Sequence, residues 1–185
     1  MPISVETFIR SVMENPINTT ILNRLPLLRL NQCYLTAGCL FQTIWNQRSG
    51  LPPQARIKDY DVFYFEDDLS LEAEDAVIQQ GKLLFDDLDA AVEFKNQARV
   101  HLWYEQRFGR CYPRLASARD GIDRYLIACT CVGINVATGK LYAPNGLEET
   151  WEGVLRINPL NPQPDLFLKK AEDYRARWPW LRIQP

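Results

Sequence analysis

Apolar residues recur at helical spacing near the start of the chain. They follow the i, i+3, i+4, i+7, i+8 pattern of an amphipathic helix at Val5, Phe8, Ile9, Val12 and Met13. Ser4 precedes this pattern where an N-cap is expected, and Asn15-Pro16 predicts the start of a second helix that Pro26 ends. Pro164 predicts the start of a last helix that runs towards Arg177. The pattern therefore predicts helical additions at both ends of the chain.

Strands and helices are predicted to alternate through the middle of the chain. Short apolar or aromatic runs predict strands at residues 33–37, 60–65, 90–94, 127–137 and 140–143. Helical patterns separate them at residues 39–45, 71–85 and 97–108. Ser70 is predicted to cap the second of these helices and Gly109 to stop the third. This alternation favours an α/β or α+β sheet with helices packed against it, and no linker separates two domains, so residues 1–185 are predicted to form one domain.

The composition excludes several classes of protein. The 185 residues carry a formal net charge of −2, which rules out a generally basic nucleic-acid coat but does not exclude nucleic acid as a partner. The longest uncharged stretch, residues 30–47, holds two Asn and three Gln, so no membrane span is predicted. The start of the chain has no basic region leading into an apolar run, which argues against a secretory signal. Five cysteines without metal-type spacing fit reduced thiols, and a cytoplasmic protein is therefore expected.

The charges are unevenly distributed along the chain. Residues 59–93 hold twelve acids and one base, whereas residues 95–124 hold seven bases and three acids. Such a pair of segments is typical of a metal site beside a phosphate site, or of two solvated helices of opposite charge. The counts leave both interpretations open.

Carboxylates on two predicted strands are the main candidates for chemistry. Asp59 and Asp61 are two residues apart, so on a strand both point to the same side. Glu93 stands between Val92 and Phe94 in a second apolar strand. Three hard oxygen ligands on adjacent strands suit Mg²⁺ or Mn²⁺ and predict a two-metal site for phosphoryl displacement. The alternative is that these acids form salt bridges with Lys95 or Arg99 in a structural scaffold.

Gly38 lies at the end of an apolar strand and directly before a predicted helix. Glycine lets a phosphate approach the backbone closely, and a helix N-terminus offers free N–H groups to it. The alternative is that the strand-to-helix turn needs a glycine for its geometry alone.

The order of these features resembles the nucleotidyltransferase superfamily that includes DNA polymerase beta, poly(A) polymerase and aminoglycoside nucleotidyltransferases. Within it, the chain is similar almost end to end to a small bacterial family of predicted nucleotidyltransferases. The resemblance rests on Ala37-Gly38, Trp45-Asn46, residues 59–65, residues 92–104, Ala143-Pro144-Asn145-Gly146-Leu147, Asn158-Pro159 and Arg177-Trp178-Pro179. The most specific part is residues 93–104.

The resemblance implies a mixed sheet flanked by helices and a metal-dependent enzyme. Its reaction would transfer a nucleoside monophosphate from a nucleoside triphosphate to a hydroxyl of an unidentified acceptor and release pyrophosphate. Asp59 and Asp61 would hold both Mg²⁺ (or Mn²⁺) ions, and Glu93 would hold the ion that activates the acceptor hydroxyl. Lys95 and Arg99 are the expected triphosphate or acceptor contacts, with salt bridges to the acidic segment as the alternative. A non-catalytic nucleotide-binding or partner-binding relative is the second expectation for function.

The phosphate-binding turn departs from the family pattern at one position. The superfamily has Gly or Ser after the first glycine, whereas this chain has Cys39 after Gly38 and therefore lacks a hydroxyl for a phosphate oxygen. Gly38 and Cys39 are together the candidate phosphate-binding residues of this turn. Cys39 is also predicted to be a packing residue rather than a nucleophile, because no base stands at a recognisable spacing.

Other polar and aromatic residues have both structural and functional interpretations. His101, the only histidine, either touches substrate or forms an ordinary i, i+4 pair with Gln97. Cys129 and Cys131 lie in a predicted apolar strand and are expected to be core thiols instead of metal ligands. Most of the aromatic set is expected to pack in the core or at the chain end, with one member available to stack on a base. This set is Trp103, Tyr104, Trp151, Trp178 and Trp180.

Overall fold

The computed structural model describes residues 3–184, so Met1, Pro2 and Pro185 of the predicted domain lie outside the described residues. The helices are α1 (Val5–Met13), α2 (Pro16–Arg24), α3 (Gly38–Arg48), α4 (Leu71–Leu84), α5 (Val100–Phe108), α6 (Ala118–Ile122), α7 (Glu148–Glu152) and α8 (Pro164–Arg177). The strands are β1 (Tyr34–Thr36), β2 (Asp59–Tyr64), β3 (Ala91–Asn96), β4 (Gly133–Asn135), β5 (Leu141–Tyr142), β6 (Val154–Arg156) and β7 (Arg182–Gln184). Among residues 3–184, no helix is both long and apolar enough to cross a bilayer.

Five strands form a mixed sheet in the order β3-β2-β1-β4-β5. The β2–β3 pair is parallel and the other neighbours are antiparallel. A parallel pair needs a long crossover, and the segment that contains α4 supplies it. A separate parallel pair joins β6 to β7. The predicted mixed sheet with flanking helices is confirmed.

The register between β2 and β3 brings the predicted site residues onto one face. Asp61 pairs with Glu93, and Phe63 pairs with Lys95 in the next same-face position. Asp59 precedes Asp61 by two residues and therefore shares this face. The face of the sheet thus carries three acids and a lysine from two neighbouring strands.

Capping residues recognised in the sequence correctly predict where several helices begin or end. Ser4 Oγ accepts a hydrogen bond from the Thr7 backbone N–H at 3.1 Å, and Ser70 Oγ accepts one from Ala73 at 3.2 Å. Gly109 ends α5 with φ of 67°, a left-handed conformation that glycine adopts without a steric penalty. These contacts confirm the predicted caps of α1 and α4 and the predicted stop of α5.

The segment around residues 127–137 differs from its predicted strand. Residues Ala128–Thr130 form a 3₁₀ turn, in which Thr130 Oγ1 donates to the Ile127 carbonyl at 2.7 Å. A hydroxyl that satisfies the backbone locally competes with strand pairing, so β4 begins only at residue 133. Cys129 and Cys131 are buried as expected, but Cys129 lies within this turn and Cys131 directly follows it, so neither lies on a strand.

Helix α3 lies in the middle of the core and is held by both ends of the chain. Asn15 Nδ2 donates to Thr43 Oγ1 at 3.1 Å, and Asn18 Nδ2 donates to the Cys39 carbonyl at 2.9 Å. All four residues are fully buried, so these bonds are shielded from water. From the other end, the Trp178 indole donates to an asparagine side chain of α3 at 2.9 Å. The helical additions therefore brace the helix that starts at the candidate phosphate turn.

Candidate functional site

A cavity of about 480 Å³ lies over the acidic face of the sheet, between the N-terminus of α3 and the helices α5 and α8. Four of the residues predicted for the site line it: Gly38, Asp59, Asp61 and Lys95. A cavity of this size accommodates a ligand of nucleotide size. The fold therefore gathers the predicted turn and the predicted acid pair around one space.

Lys95 lies between the carboxylates of Asp61 and Glu93. Its Nζ is 2.6 Å from Asp61 Oδ1 and 2.9 Å from Glu93 Oε2. Burial raises the pKa of Asp61 above its usual value, and Lys95 opposes this shift. Burial alone would lower the pKa of Lys95, but the two carboxylates raise it. The ion pairs that the sequence left as an alternative are therefore present in the structure.

The donor set at this position suits a divalent cation. Asp61 and Glu93 supply hard oxygen ligands, and they already converge on one positive charge. As the side chains are placed, no three acidic, histidine or cysteine groups within residues 3–184 are close enough to hold a metal ion. The carboxylates therefore fit Mg²⁺ or Mn²⁺ in chemistry, while the Lys95 ammonium stands where two of them meet.

The turn from β1 into α3 has a strained backbone. Ala37 has φ of 64° and ψ of −142°, a combination that residues with a Cβ rarely adopt. A Cβ on Gly38 would collide with the side-chain amide of Gln42, so a larger residue there would require this side chain to move. Both Ala37 and Gly38 line the cavity. The close-approach interpretation of Gly38 is consistent with this position.

Cys39, the second candidate phosphate-binding residue of the turn, is fully buried and lies outside the cavity lining, so its side chain does not face the cavity. Its thiol donates to the Thr36 carbonyl at 3.1 Å. Burial raises the pKa of Cys39 well above its ordinary value, and the nearby Asp61 and Asp59 add to the shift. A thiol in this state is not a nucleophile, which supports the packing role predicted for Cys39.

We expect iodoacetamide at about pH 8 to modify Cys111 and leave the other four cysteines intact in the folded protein. Cys111 is exposed, whereas Cys33, Cys39, Cys129 and Cys131 are buried. Burial raises the pKa of Cys33 to about 12, so its reactive thiolate is scarce at this pH. Intact mass spectrometry before and after unfolding counts the modified thiols. Modification of Cys39 in the folded state would contradict the packing role.

Arg99 does not line the cavity. Its guanidinium pairs with Glu74 of α4, and its Nε donates to the Leu69 carbonyl at 2.8 Å. Arg99 is 4% exposed, so it is held in the protein by these contacts. The structure therefore favours the salt-bridge alternative for Arg99 over a triphosphate contact, because the helix that crosses from β2 to β3 supplies its carboxylate.

The C-terminal helix contributes cavity residues that the sequence interpretation missed. Lys170, Asp173, Tyr174 and Arg177 line the cavity from α8. Their i, i+3, i+4, i+7 spacing is a helical stripe that could have been found in the sequence. Burial lowers the pKa of Lys170, although Asp61 and Asp59 oppose the shift. A partly desolvated lysine thus faces the same space as the acid pair.

Helix α5 presents a second stripe to the cavity. Its members follow the same spacing at Val100, Trp103, Tyr104, Arg107 and Phe108. The Tyr104 ring lies 4.6 Å from the Phe108 ring and 4.3 Å from Tyr112, measured between centroids. These rings form an aromatic wall beside two cations, because the Arg107 guanidinium lies 5.9 Å from the Trp103 ring and that of Arg124 lies 5.9 Å from Tyr112.

His101 and most of the tryptophans lie elsewhere. His101 is outside the cavity lining, and its buried Nδ1 has no hydrogen-bond partner among the described residues. Trp178 is fully buried in the core, while Trp151 and Trp180 both pack against the Arg48 guanidinium. Trp103 is therefore the tryptophan of the predicted aromatic set that faces the cavity.

Comparisons with known proteins identify the family of the chain. No curated protein sequence matches it. A solved structure described as revealing a CCA-adding enzyme head domain is 26% identical, with a TM-score of 0.77, over 98% of this chain and 96% of that chain. A family model described as nucleotidyltransferase matches residues 23–183, which include β2, β3 and the cavity helices. The chain belongs to this nucleotidyltransferase family.

Proposed function

We propose that the chain is a divalent-metal-dependent nucleotidyltransferase of the cytoplasm. It transfers a nucleoside monophosphate from a nucleoside triphosphate to an acceptor hydroxyl, releases pyrophosphate, and acts as one domain over residues 1–185. One observation carries the proposal: an acid pair, several cations and a group of aromatic rings line the same cavity. The family match supports nucleotidyl transfer as the reaction class.

The charge of the cavity favours a polyanion bound together with metal ions. Four cationic side chains of its lining have no salt bridge to a carboxylate within residues 3–184: Lys58, Arg107, Arg124 and Lys170. Unpaired cations in a cleft attract a polyanion such as a triphosphate. Asp59 and Asp61 would repel the same group unless divalent cations lay between them. A metal–triphosphate complex satisfies both sets of charges.

The aromatic wall favours a ligand that carries a flat ring. Trp103, Tyr104, Phe108 and Tyr112 supply apolar faces on the same side of the cavity. Stacking on such faces contributes about 1–3 kcal/mol for each nucleobase. The wall therefore complements the base of a nucleotide, while the cations complement its phosphates.

The residues divide the work of transfer by position. Asp59 and Asp61 would hold both divalent ions, and Glu93 the ion on the acceptor side. When bound, the divalent ions would neutralise the negative charge that develops on the attacking and leaving oxygens. Gly38 lets a phosphate approach the backbone at the start of α3, and Lys170 offers its ammonium to the phosphates from α8. Glu93, whose side chain is 48% exposed, is accessible to receive the proton of an acceptor hydroxyl.

A nucleotide-binding protein without transfer activity is the second candidate. The observation in its favour is Lys95, which already neutralises Asp61 and Glu93 without a metal ion. Such a protein would bind the triphosphate through its cations and rings and leave it intact. Release of pyrophosphate separates the two candidates, because only the transferase produces it.

The proposed function is tested by thermal denaturation with Mg²⁺ or Mn²⁺ and each of the four ribonucleoside triphosphates. Metal alone is expected to raise Tm slightly, and the matching triphosphate with metal by about 5–10 °C at a hundredfold excess over its Kd. Pyrophosphate release is then measured with candidate acceptors. Short oligonucleotides are included because the similar structure is described as a CCA-adding enzyme head domain. Equal stabilisation by triphosphate in the presence of a chelator would contradict the metal-dependent mechanism.

A further inference from the structure

Lys95 differs from the other cavity lysines in its contacts. It pairs with Asp61 at 2.6 Å and with Glu93 at 2.9 Å, whereas Lys58 and Lys170 have no salt bridge to a carboxylate among the described residues. The register of β2 and β3 sets Asp61 directly opposite Glu93, and Lys95 follows Glu93 by two residues on the same face. One ammonium therefore stands at the point where two strand carboxylates converge.

A divalent ion and this ammonium cannot occupy the same point. Two positive charges a few ångströms apart repel, and the carboxylate oxygens that ligate the ion are those that accept from Lys95. The Lys95 side chain is 35% exposed and flexible, so it is able to move away. Asp61, at 13% side-chain exposure on a central strand, stays in place. Metal binding between these acids therefore requires displacement of Lys95.

The cavity itself provides a place for the displaced ammonium. Lys95 lines the cavity beside the unpaired cations that we assign to phosphate binding. A triphosphate bound in the cavity supplies negative charge to the Lys95 ammonium when this ammonium leaves the carboxylates of Asp61 and Glu93. The free energy lost from the ion pairs is then compensated, and the metal ion has open access to the oxygens of Asp61 and Glu93.

We propose that Lys95 is a built-in counterion that holds the position between Asp61 and Glu93 until a metal–triphosphate complex displaces it. This inference rests on the proposed metal site and goes beyond it, because it makes metal binding dependent on the nucleotide. Metal alone binds weakly, since only the minor state with Lys95 displaced is competent. Triphosphate raises metal affinity, and by linkage metal raises triphosphate affinity by the same factor.

The test measures Mn²⁺ binding directly, from the electron paramagnetic resonance signal of free Mn²⁺. Lys95→Met is titrated with Mn²⁺ alone and is expected to bind it about tenfold more tightly than the wild type. A non-hydrolysable triphosphate is then added to both proteins. It is expected to raise Mn²⁺ affinity strongly in the wild type and much less in Lys95→Met, because no lysine remains to be displaced.

Lys169→Met is the matched control. Lys169 is exposed, lies outside the cavity lining, and pairs with no carboxylate among residues 3–184. Removal of its charge is expected to change affinity for Mn²⁺ alone by less than about threefold. Lys95→Arg, which keeps a cation between the acids, is expected to bind Mn²⁺ as weakly as the wild type. Thermal melts establish that each variant is folded, and Lys95→Gln replaces Lys95→Met if the latter does not fold.

The outcomes separate this inference from the proposed function. Equal Mn²⁺ affinity in wild type and Lys95→Met would overturn the counterion role and leave the metal site standing. The same would follow if Lys169→Met raised the affinity as much as Lys95→Met, because the effect would then come from the general loss of positive charge. Absence of saturable Mn²⁺ binding in all variants, with and without triphosphate, would overturn the metal site and the counterion role together.

Discussion

Asp61→Asn is expected to lower nucleotidyl transfer by about 10³-fold or more while the protein remains folded. Asp61 is 9% exposed, lines the cavity, and is the acid nearest to Lys95. The asparagine keeps the shape of the side chain but loses the charge that anchors a metal ion beside the phosphates. Metal–triphosphate affinity should therefore fall together with turnover. Calorimetry and pyrophosphate release measure the two quantities, and Asp59→Asn should behave in the same way.

Asp67→Asn is the matched control for this prediction. It removes the same charge from an exposed position in the same acidic segment, outside the cavity lining. Its rate and its nucleotide affinity should equal those of the wild type. A wild-type rate in folded Asp61→Asn would mean that the acid pair is not the metal anchor.

Glu93→Gln is expected to separate binding from chemistry. Glu93 lies at the edge of the site, with a half-exposed side chain that does not line the cavity. Removal of the negative charge of Glu93 should leave the affinity for metal–triphosphate largely intact and lower the rate of transfer by about 10²-fold. This is the scale expected when one positioned charge is removed from a phosphoryl-transfer site. Calorimetric affinity and pyrophosphate release under saturating nucleotide give the two values.

The control for Glu93→Gln is Glu72→Gln on the exposed face of α4, which should be silent in both measurements. Turnover of Glu93→Gln at the wild-type rate would remove Glu93 from the site. The third acid would then be sought among Asp86, Asp87 and Asp89. Of these, Asp87 is already paired with Arg24 at 2.5 Å.

The acid pair was predictable because its signals are local. The two-residue period of a strand placed Asp59 and Asp61 on one side, and the flanking apolar residues indicated buried strands. That the strand of Glu93 lies next to this pair was a premise of the two-metal hypothesis, and the sheet order and register show it. Caps such as Ser4 and Ser70 act within three residues and were equally readable.

The partners of the basic residues were not predictable, because they depend on contacts distant in sequence. Arg99 pairs with Glu74 only because α4 packs against β3. Lys170 and Arg177 line the same cavity as the acid pair only because the last helix folds back against it. Their helical stripe indicated a shared face but not the surface that it meets. The sequence alone therefore does not show which cationic side chains face the cavity and which form salt bridges with carboxylates.

The buried side chains of Asn15 and Asn18 connect the first two helices to α3, which begins at the cavity. We therefore expect substitutions in those helices to alter turnover without any contact with substrate. Both asparagines precede residue 23, where the family match begins. Asn18 nevertheless donates a hydrogen bond to the carbonyl of Cys39, two residues after the strained Ala37. An alanine in a conformation suited to glycine relaxes unless its neighbours hold it. Substitutions in the first two helices are therefore expected to change the conformation of this turn and the distance at which a phosphate binds to it. The rate of turnover would then change although the acids and cations of the cavity remain the same.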